Sequence, residues 1–150
     1  MLIDDVTIKL SGGKGERGAV AFNKVRLMQG PVGGDGGDGG SIYFEGASDL
    51  MILAAFAQKR IIEAEDGKRG RGQFLDGRNG EDLTLKVPVG STGTNLDKGT
   101  TFEITKVGER VLAVKGGHGG KGNFKFRSPR RTTPMRVQEG LPGQTASFRI

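Results

Sequence analysis

Hydrophobic and polar residues alternate in several short stretches of the chain. The alternation runs through 6–10, through 83–89 and through 148–150 at the end of the sequence. A period of two places apolar side chains on one face of a strand, so these stretches predict a mainly β structure. Pro88 predicts an edge strand or a bulge in 83–89, because proline lacks the N–H that an inner strand donates.

The remaining short elements are predicted from local signals. Residues 102–104 are expected to pair with 111–114 across a turn at Gly108, and 95–99 has the composition of a turn. Helical spacing occurs in 49–56, followed by an extended stretch over 59–64. Short strands able to form a small barrel or a sandwich therefore alternate with segments of a different kind.

Those other segments carry glycine at every third position. The spacing runs through 12–18, 30–40, 67–70, 77–80, 116–122 and 140–143. A period of three belongs to the left-handed polyproline II helix, whose backbone groups need neighbouring chains or water as hydrogen-bond partners. We therefore expect blocks far apart in sequence to meet in space. The glycines expected to be structural are Gly15, Gly36, Gly37, Gly39, Gly80, Gly119 and Gly122.

Flexible linkers are the alternative interpretation, because glycine-rich stretches usually serve as linkers. Three observations favour packed segments. Serine and proline are sparse within the blocks, glycine keeps its phase over successive triplets, and strand-like stretches such as 19–22 and 42–44 follow the blocks. Continuous collagen is excluded, since the triplets are short and the chain has only 5 prolines.

Composition narrows the classes of function. A length of 150 residues with 34% hydrophobic content fits one domain. The chain has no cysteine, which excludes disulfides, thiolate catalysis and cysteine zinc sites. Its 1 histidine argues against a histidine-based metal cluster and a Ser-His-Asp arrangement. Its longest apolar run, 50–57, is too short to cross a bilayer, and the acidic start differs from a signal peptide. We expect a cytoplasmic monomer without a membrane segment.

Positive charge is concentrated in the second half of the chain. The net charge is +6, and no acidic residue interrupts the eight cations found between Glu109 and Glu139. Such a stretch is either a solvated face or the electrostatic footprint of a nucleic-acid binder. Phe124 and Phe126, which alternate with these cations, are interpreted as core positions of a short strand. The candidate RNA-binding residues are Arg26, Lys68, Arg69, Arg71, Arg78, Lys121, Arg127, Arg130 and Arg131.

Three glycine motifs fail as sites of chemistry. The G-x-G-x-x-G match at 13–18 precedes a strand-like stretch where dinucleotide binding needs a helix. Gly120-Lys121 is followed by Gly122, where a phosphate-binding P-loop needs serine or threonine. The stretch 33–40 only partly matches a calcium-binding nonapeptide. We interpret Asp35 and Asp38 as solvated or backbone-capping carboxylates, and His118 as an exposed turn residue.

Several motifs together resemble one family. They are Ile3-Asp4-Asp5, the block 33–40, the block 76–83, Val87-Pro88-Val89-Gly90, the block 116–123 and Glu139-Gly140-Leu141-Pro142-Gly143. In this order they resemble the N-terminal Obg domain of the Obg GTPases, over essentially the whole chain. The resemblance implies a single domain, 1–150, with a β-barrel of about eight strands. A lobe of six glycine-rich left-handed polyproline II helices would project from it, at roughly 11–41, 65–80 and 115–145.

The function implied by this resemblance is docking on the large ribosomal subunit. Family members assist its assembly, and the tips of the lobe are expected to enter the peptidyl-transferase region of ribosomal RNA. Here the stretch 22–28 keeps only two cations, so we expect weaker RNA contact through it. The alternative is a protein-interaction or regulatory module that contacts a GTPase domain or a stress-pathway partner.

The same resemblance implies that nucleotide binding belongs to a different domain of full-length relatives. GTP and Mg²⁺ are implied for full-length relatives, through a C-terminal GTPase domain whose motifs do not occur in the sequence. We therefore expect no cofactor, no metal site and no catalytic residue in this chain. It would be either an excised domain or a natural short form.

Overall fold

The structure is a computed structural model that describes residues 7–19, 33–48, 61–72, 75–122 and 138–150. Regular structure in these ranges consists of strands, and no helix occurs within them. The strands are β1 (Thr7–Ser11), β2 (Ile42–Ala47), β3 (Ile61–Glu63), β4 (Leu83–Pro88), β5 (Thr92–Asn95), β6 (Thr101–Glu103), β7 (Arg110–Val114) and β8 (Thr145–Arg149). The predicted mainly β fold is thus confirmed, while the predicted helical stretch 49–56 lies outside the described residues.

The strands form two sheets. One has the order β3-β1-β8-β5-β6 and the other the order β4-β2-β7. The count of eight agrees with the prediction, but the closed barrel is wrong: among the described residues each sheet is open and ends in two edge strands. Alternating residues indicate which face of a strand is buried, and they carry no signal for which strands pair. Pro88 lies on the edge strand β4, as its chemistry predicts.

The core lies where the inner faces of the two sheets meet. Phe44 of β2 stacks on Phe102 of β6 at 5.3 Å between ring centroids, and it meets Phe148 of β8 edge-on at 5.4 Å. Aromatic pairs prefer such offset and edge-to-face arrangements. The fully buried side chains around them are aliphatic, namely Ile8, Leu10, Ile42, Val87, Ile104 and Val114.

The predicted hairpin between 102–104 and 111–114 is wrong. β6 pairs with β5, and β7 pairs with β2 in the other sheet. The turn at Gly108 exists, with φ of 85°, but it packs on β2: Gly108 N donates to Gly46 O, and Gly46 N donates to Glu109 O. The predicted turn at 95–99 is confirmed. Asn95 Oδ1 accepts hydrogen bonds from Asp97 N and Lys98 N, and Gly99 has φ of 74°.

Strand order also positions the glycine blocks. Three blocks follow the ends of β1, β3 and β7, and three precede the starts of β2, β4 and β8. Each block is therefore joined to a strand at one of its ends. The six blocks run side by side from this shared origin, because each is hydrogen-bonded to others along its length.

Candidate functional site

Six glycine segments form the lobe that we consider as the functional site. In the described residues they are segment I (12–19), segment II (33–41), segment III (64–72), segment IV (75–82), segment V (115–122) and segment VI (138–144). We call them together the glycine lobe. Their backbones are hydrogen-bonded to each other, which confirms that blocks far apart in sequence meet in space.

Segments I and II are the two central segments. Segment II is bonded to segments I, III, IV and V, and segment I is bonded to segments II, III, V and VI. The bonds recur every third residue. For example, Gly34 N, Gly37 N and Gly40 N of segment II donate to Arg71 O, Lys68 O and Glu65 O of segment III, at 2.7, 2.7 and 2.8 Å. One residue in three thus faces each neighbour, as the glycine spacing requires.

Two glycine phases in segment II correspond to two packed faces. A Cβ at Gly36 would overlap the carbonyl oxygen of Glu16 in segment I, and a Cβ at Gly37 would overlap that of Arg78 in segment IV. Backbone atoms cannot move aside as a flexible side chain can, so only glycine permits this approach. Segment V has the same double pattern, because its glycines face segments II and VI.

The other glycines named from the sequence lie at similar contacts. In each case an added Cβ would overlap backbone atoms of a neighbouring segment. Gly15 meets His118, Gly39 meets Gly13, Gly80 meets Glu65, Gly119 meets Gly36, and Gly122 meets Gly33.

Side chains at every third position supply further hydrogen bonds between segments. Asp76, Asn79 and Asp82 of segment IV accept from the backbone nitrogens of Asp35, Asp38 and Ser41 in segment II, at 2.8, 2.9 and 2.8 Å. Each pair is separated by 41 positions in the sequence. Segments II and IV are parallel here, so one acceptor per triplet fixes their register.

Side chains of segment II in turn accept hydrogen bonds from the backbone of segment V. Asp35 Oδ1, Asp38 Oδ1 and Ser41 Oγ accept from the backbone nitrogens of Gly122, Gly119 and Gly116, at 2.9, 2.7 and 2.9 Å. Asp35 and Asp38 are therefore backbone-capping carboxylates, one of the two roles predicted for them. The acceptor role of Ser41, Asp76, Asn79 and Asp82 was missed, although their three-residue spacing in phase with glycine is a readable signal.

The hydrogen bonds also bear on phosphate binding. A phosphate-binding loop needs several backbone N–H groups that point at the ligand. In segment V, Gly119 N donates to Asp38 Oδ1 and Gly120 N donates to Glu16 O. These N–H groups already have partners within the lobe, so the stretch around Lys121 does not fit a GTP phosphate.

Charge is divided along the length of the lobe. We define the outer half as residues 15–19, 33–37, 68–72, 75–79, 118–122 and 138–140, and the strand half as the rest of the six segments. The outer half carries Arg17, Lys68, Arg69, Arg71, Arg78 and Lys121 against Glu16, Asp35, Asp76 and Glu139. The strand half carries Lys14 and Lys115 against Asp38, Glu65, Asp66, Glu81 and Asp82. The net charges are therefore +2 and −3.

Five of the candidate RNA-binding cations lie in this outer half. Lys68, Arg69, Arg71, Arg78 and Lys121 are exposed there. Arg69 Nε lies 3.7 Å from Glu16 Oε2, which adds a partly exposed ion pair between segments III and I. Arg26, Arg127, Arg130 and Arg131 lie outside the described residues, in the stretches that join segment I to II and segment V to VI.

The ends of those two stretches are close together in the structure. Ala19 N, the last described residue of segment I, donates to Gly34 O at 2.9 Å. Gln138 N, at the start of segment VI, donates to Lys121 O at 2.9 Å. Asp35 connects the two sites by accepting from Gly122 N. The described residues that flank these two stretches in sequence therefore lie together at the outer end of the lobe.

A cleft of about 270 Å³ opens in the lobe among segments II, IV and V. It is lined by Asp38, Ser41, Asn79, Asp82, Lys115 and His118, among others. His118 Nδ1 lies 3.9 Å from Asp38 Oδ1, and the imidazole is 68% exposed. The histidine is thus an exposed residue of segment V, and most polar side chains around it serve the packing of the lobe.

Comparison with known proteins identifies the family. The family model described as GTP1/OBG matches residues 3–150. This chain belongs to the GTP1/OBG family. It is 38% identical over 147 residues to "GTPase Obg" of Nautilia profundicola, an alignment that covers 96% of this chain and 41% of that relative.

Two further relatives match the chain over all or nearly all of its length. "GTPase Obg" of Sorangium cellulosum is 37% identical, with 99% of this chain and 44% of the relative covered. "GTPase Obg" of Finegoldia magna is 40% identical, with 100% and 36% covered. The chain thus spans less than half the length of these curated Obg relatives. In the ranges that the structure describes, no helix is long and apolar enough to cross a membrane.

Proposed function

We propose that this chain is the Obg domain of a cytoplasmic ribosome-associated GTPase, and that its glycine lobe docks on RNA of the large ribosomal subunit. The observation that carries this proposal is the convergence of cations at the outer end of the lobe. Six exposed cations lie there, namely Arg17, Lys68, Arg69, Arg71, Arg78 and Lys121. Lysine and arginine that neutralise phosphates supply most of the sequence-independent affinity for nucleic acid.

The division of charge supports an oriented approach. The outer half has a net charge of +2 and the strand half a net charge of −3. Phosphates are attracted to the first and repelled by the second, so an RNA surface favours contact with the outer end. The carboxylates of Asp35 and Asp76 in the outer half already accept backbone hydrogen bonds, and they are held against the lobe.

Stiffness is the second feature that supports docking. We propose that the six segments adopt the left-handed polyproline II conformation, which explains why one position in three is glycine and why hydrogen bonds run between segments. The central segments are each bonded to four neighbours. A preorganised lobe loses less conformational entropy on entering a confined RNA site than a flexible loop does.

Guanine-nucleotide chemistry is assigned to another part of the full-length protein. The relatives are named GTPases, and the matched region covers 36% to 44% of their length. We propose that GTP and Mg²⁺ bind in the remainder, while the domain described here supplies the contact with the ribosome.

Co-sedimentation with purified large ribosomal subunits at increasing salt tests the docking. The test variant combines Arg17→Ala, Arg71→Ala and Lys121→Ala in the outer half. The control combines Lys86→Ala, Lys98→Ala and Lys106→Ala, which removes the same charge from exposed positions outside the lobe. The slope of log affinity against log salt should become shallower by about 0.7 to 0.9 for each phosphate that the test variant no longer neutralises.

The control decides between specific docking and general attraction. We expect it to bind nearly as the wild type does. Equal weakening of both variants would contradict docking through the outer half. Binding that resists salt would instead favour the alternative, a protein-interaction module with a largely apolar interface.

A further inference from the structure

Asn79-Gly80 is the one Asn-Gly step among the four asparagines of the chain. Asparagine is a thermolabile residue. It deamidates, with loss of ammonia, when the backbone nitrogen of the next residue attacks the side-chain amide carbon. A following glycine favours this attack, because it has no side chain to shield its nitrogen. Asn79 is exposed, so water reaches the site.

In the structure, the Asn79 side chain and the Gly80 nitrogen are both hydrogen-bonded to the backbone of Asp38 in segment II. Asn79 Oδ1 accepts from Asp38 N at 2.9 Å, and Gly80 N donates to Asp38 O at 2.8 Å. Gly80 also packs closely against segment III, since a Cβ on it would overlap Glu65 O. Gly80 N cannot approach the Asn79 side chain while these contacts persist.

We propose that Asn79 is a deamidation site whose rate is set by opening of segment IV from segment II. In the open state a bond forms between Gly80 N and Asn79 Cγ, and the bond from Cγ to Nδ2 breaks. The proton of the Gly80 N–H leaves with Nδ2 as ammonia. Water then opens the resulting succinimide at either carbonyl, giving aspartate or isoaspartate.

The two products have opposite consequences for the lobe. Aspartate keeps an acceptor oxygen at position 79, so it matches Asp76 and Asp82, which accept equivalent bonds three residues away on either side. Isoaspartate routes the main chain through the side-chain carbon and lengthens it by one methylene. Gly80 N then no longer lies opposite Asp38 O, and the pairing of Asp82 with Ser41 loses its register. Deamidation therefore limits the lifetime of the lobe through its isoaspartate fraction.

Peptide mapping by mass spectrometry tests this proposal on the whole chain incubated at mildly alkaline pH. We expect Asn79 to deamidate at least about tenfold more slowly in the native chain than in the chain unfolded in urea, because attack requires local opening. Gly37→Ala, whose Cβ would overlap Arg78 O of segment IV, should give an intermediate rate. Asn79→Asp is the control, and it should show no mass change at position 79 while keeping the thermal stability of the wild type.

Hydrogen exchange at the Gly80 amide provides an independent measure of opening if Gly37→Ala fails to fold. Across a series of low urea concentrations, the deamidation rate at Asn79 should rise in proportion to exchange at Gly80. Native and unfolded chains that deamidate at the same rate would overturn the proposal. A deamidation rate that stays constant while Gly80 exchange increases would overturn it as well.

Discussion

The side-chain oxygen Asp38 Oδ1 accepts a hydrogen bond from the backbone nitrogen of Gly119, 81 positions later in the chain, at 2.7 Å. Asp38 also donates its own backbone N–H to Asn79 Oδ1. Asp38 thus connects three glycine segments that lie far apart in sequence. Register in this lobe depends on polar side chains between the glycines as well as on the glycines themselves.

Removal of the Asp38 acceptor should destabilise the lobe. We expect Asp38→Ala to lower the free energy of unfolding by about 1 kcal/mol, the net value of a typical hydrogen bond. Asp38→Asn keeps an acceptor oxygen and should retain most of the stability. Urea unfolding measures the difference, and exchange of the Gly119 amide reports the local effect. Equal stability of both variants would show that the bond to Gly119 contributes nothing.

A methyl group at Gly37 should separate segments II and IV. Its Cβ would overlap the carbonyl oxygen of Arg78, so we expect Gly37→Ala to cost about 1 to 3 kcal/mol, as overpacking of a tight site does. Lys68→Ala, at an exposed position, is the control. Amide exchange should increase in the lobe and remain slow at Phe44 of β2. A native-like exchange pattern in Gly37→Ala would contradict the close packing.

The turn before β7 should contribute a pH-dependent term to stability. The backbone N–H of Thr105 donates to the Glu109 carboxylate and holds the pKa of that carboxyl below its ordinary value. Because the folded pKa lies below the unfolded one, the stabilisation is present above the unfolded pKa and is lost as pH falls through the folded pKa. An NMR titration of the Glu109 carboxyl carbon measures the shift. A midpoint equal to that of glutamate in an unstructured peptide would contradict it.

The local elements were predictable because each leaves a local pattern. Alternation predicts β1, β4 and β8, and Pro88 predicts an edge strand. Strand pairing has no such local signal, which is why the expected partner of β6 and the expected barrel closure were wrong. The turn at Gly108 illustrates the reason, since its hydrogen bonds go to Gly46 in another strand and not to a hairpin partner.

That the glycine blocks meet in space was predictable, because glycine recurs at every third position along each of them. Glycine spacing indicates which positions face a neighbour, yet it does not indicate which neighbour. The three-residue spacing of Asp76, Asn79 and Asp82 is visible in the sequence, but their partners in segment II are shown only by the structure. From the sequence alone such side chains fit either solvated groups or backbone caps, the two roles predicted for Asp35 and Asp38.

Site-directed hydroxyl-radical probing of bound large ribosomal subunits tests the central claim most directly. The chain has no cysteine, so a single introduced cysteine carries the iron probe uniquely. Leu75→Cys places it in the outer half of the lobe, and Lys98→Cys places it in the exposed turn after β5. We predict cleavage of ribosomal RNA from position 75 and little or none from position 98. Cleavage from position 98 with none from position 75 would contradict docking through the outer end of the glycine lobe.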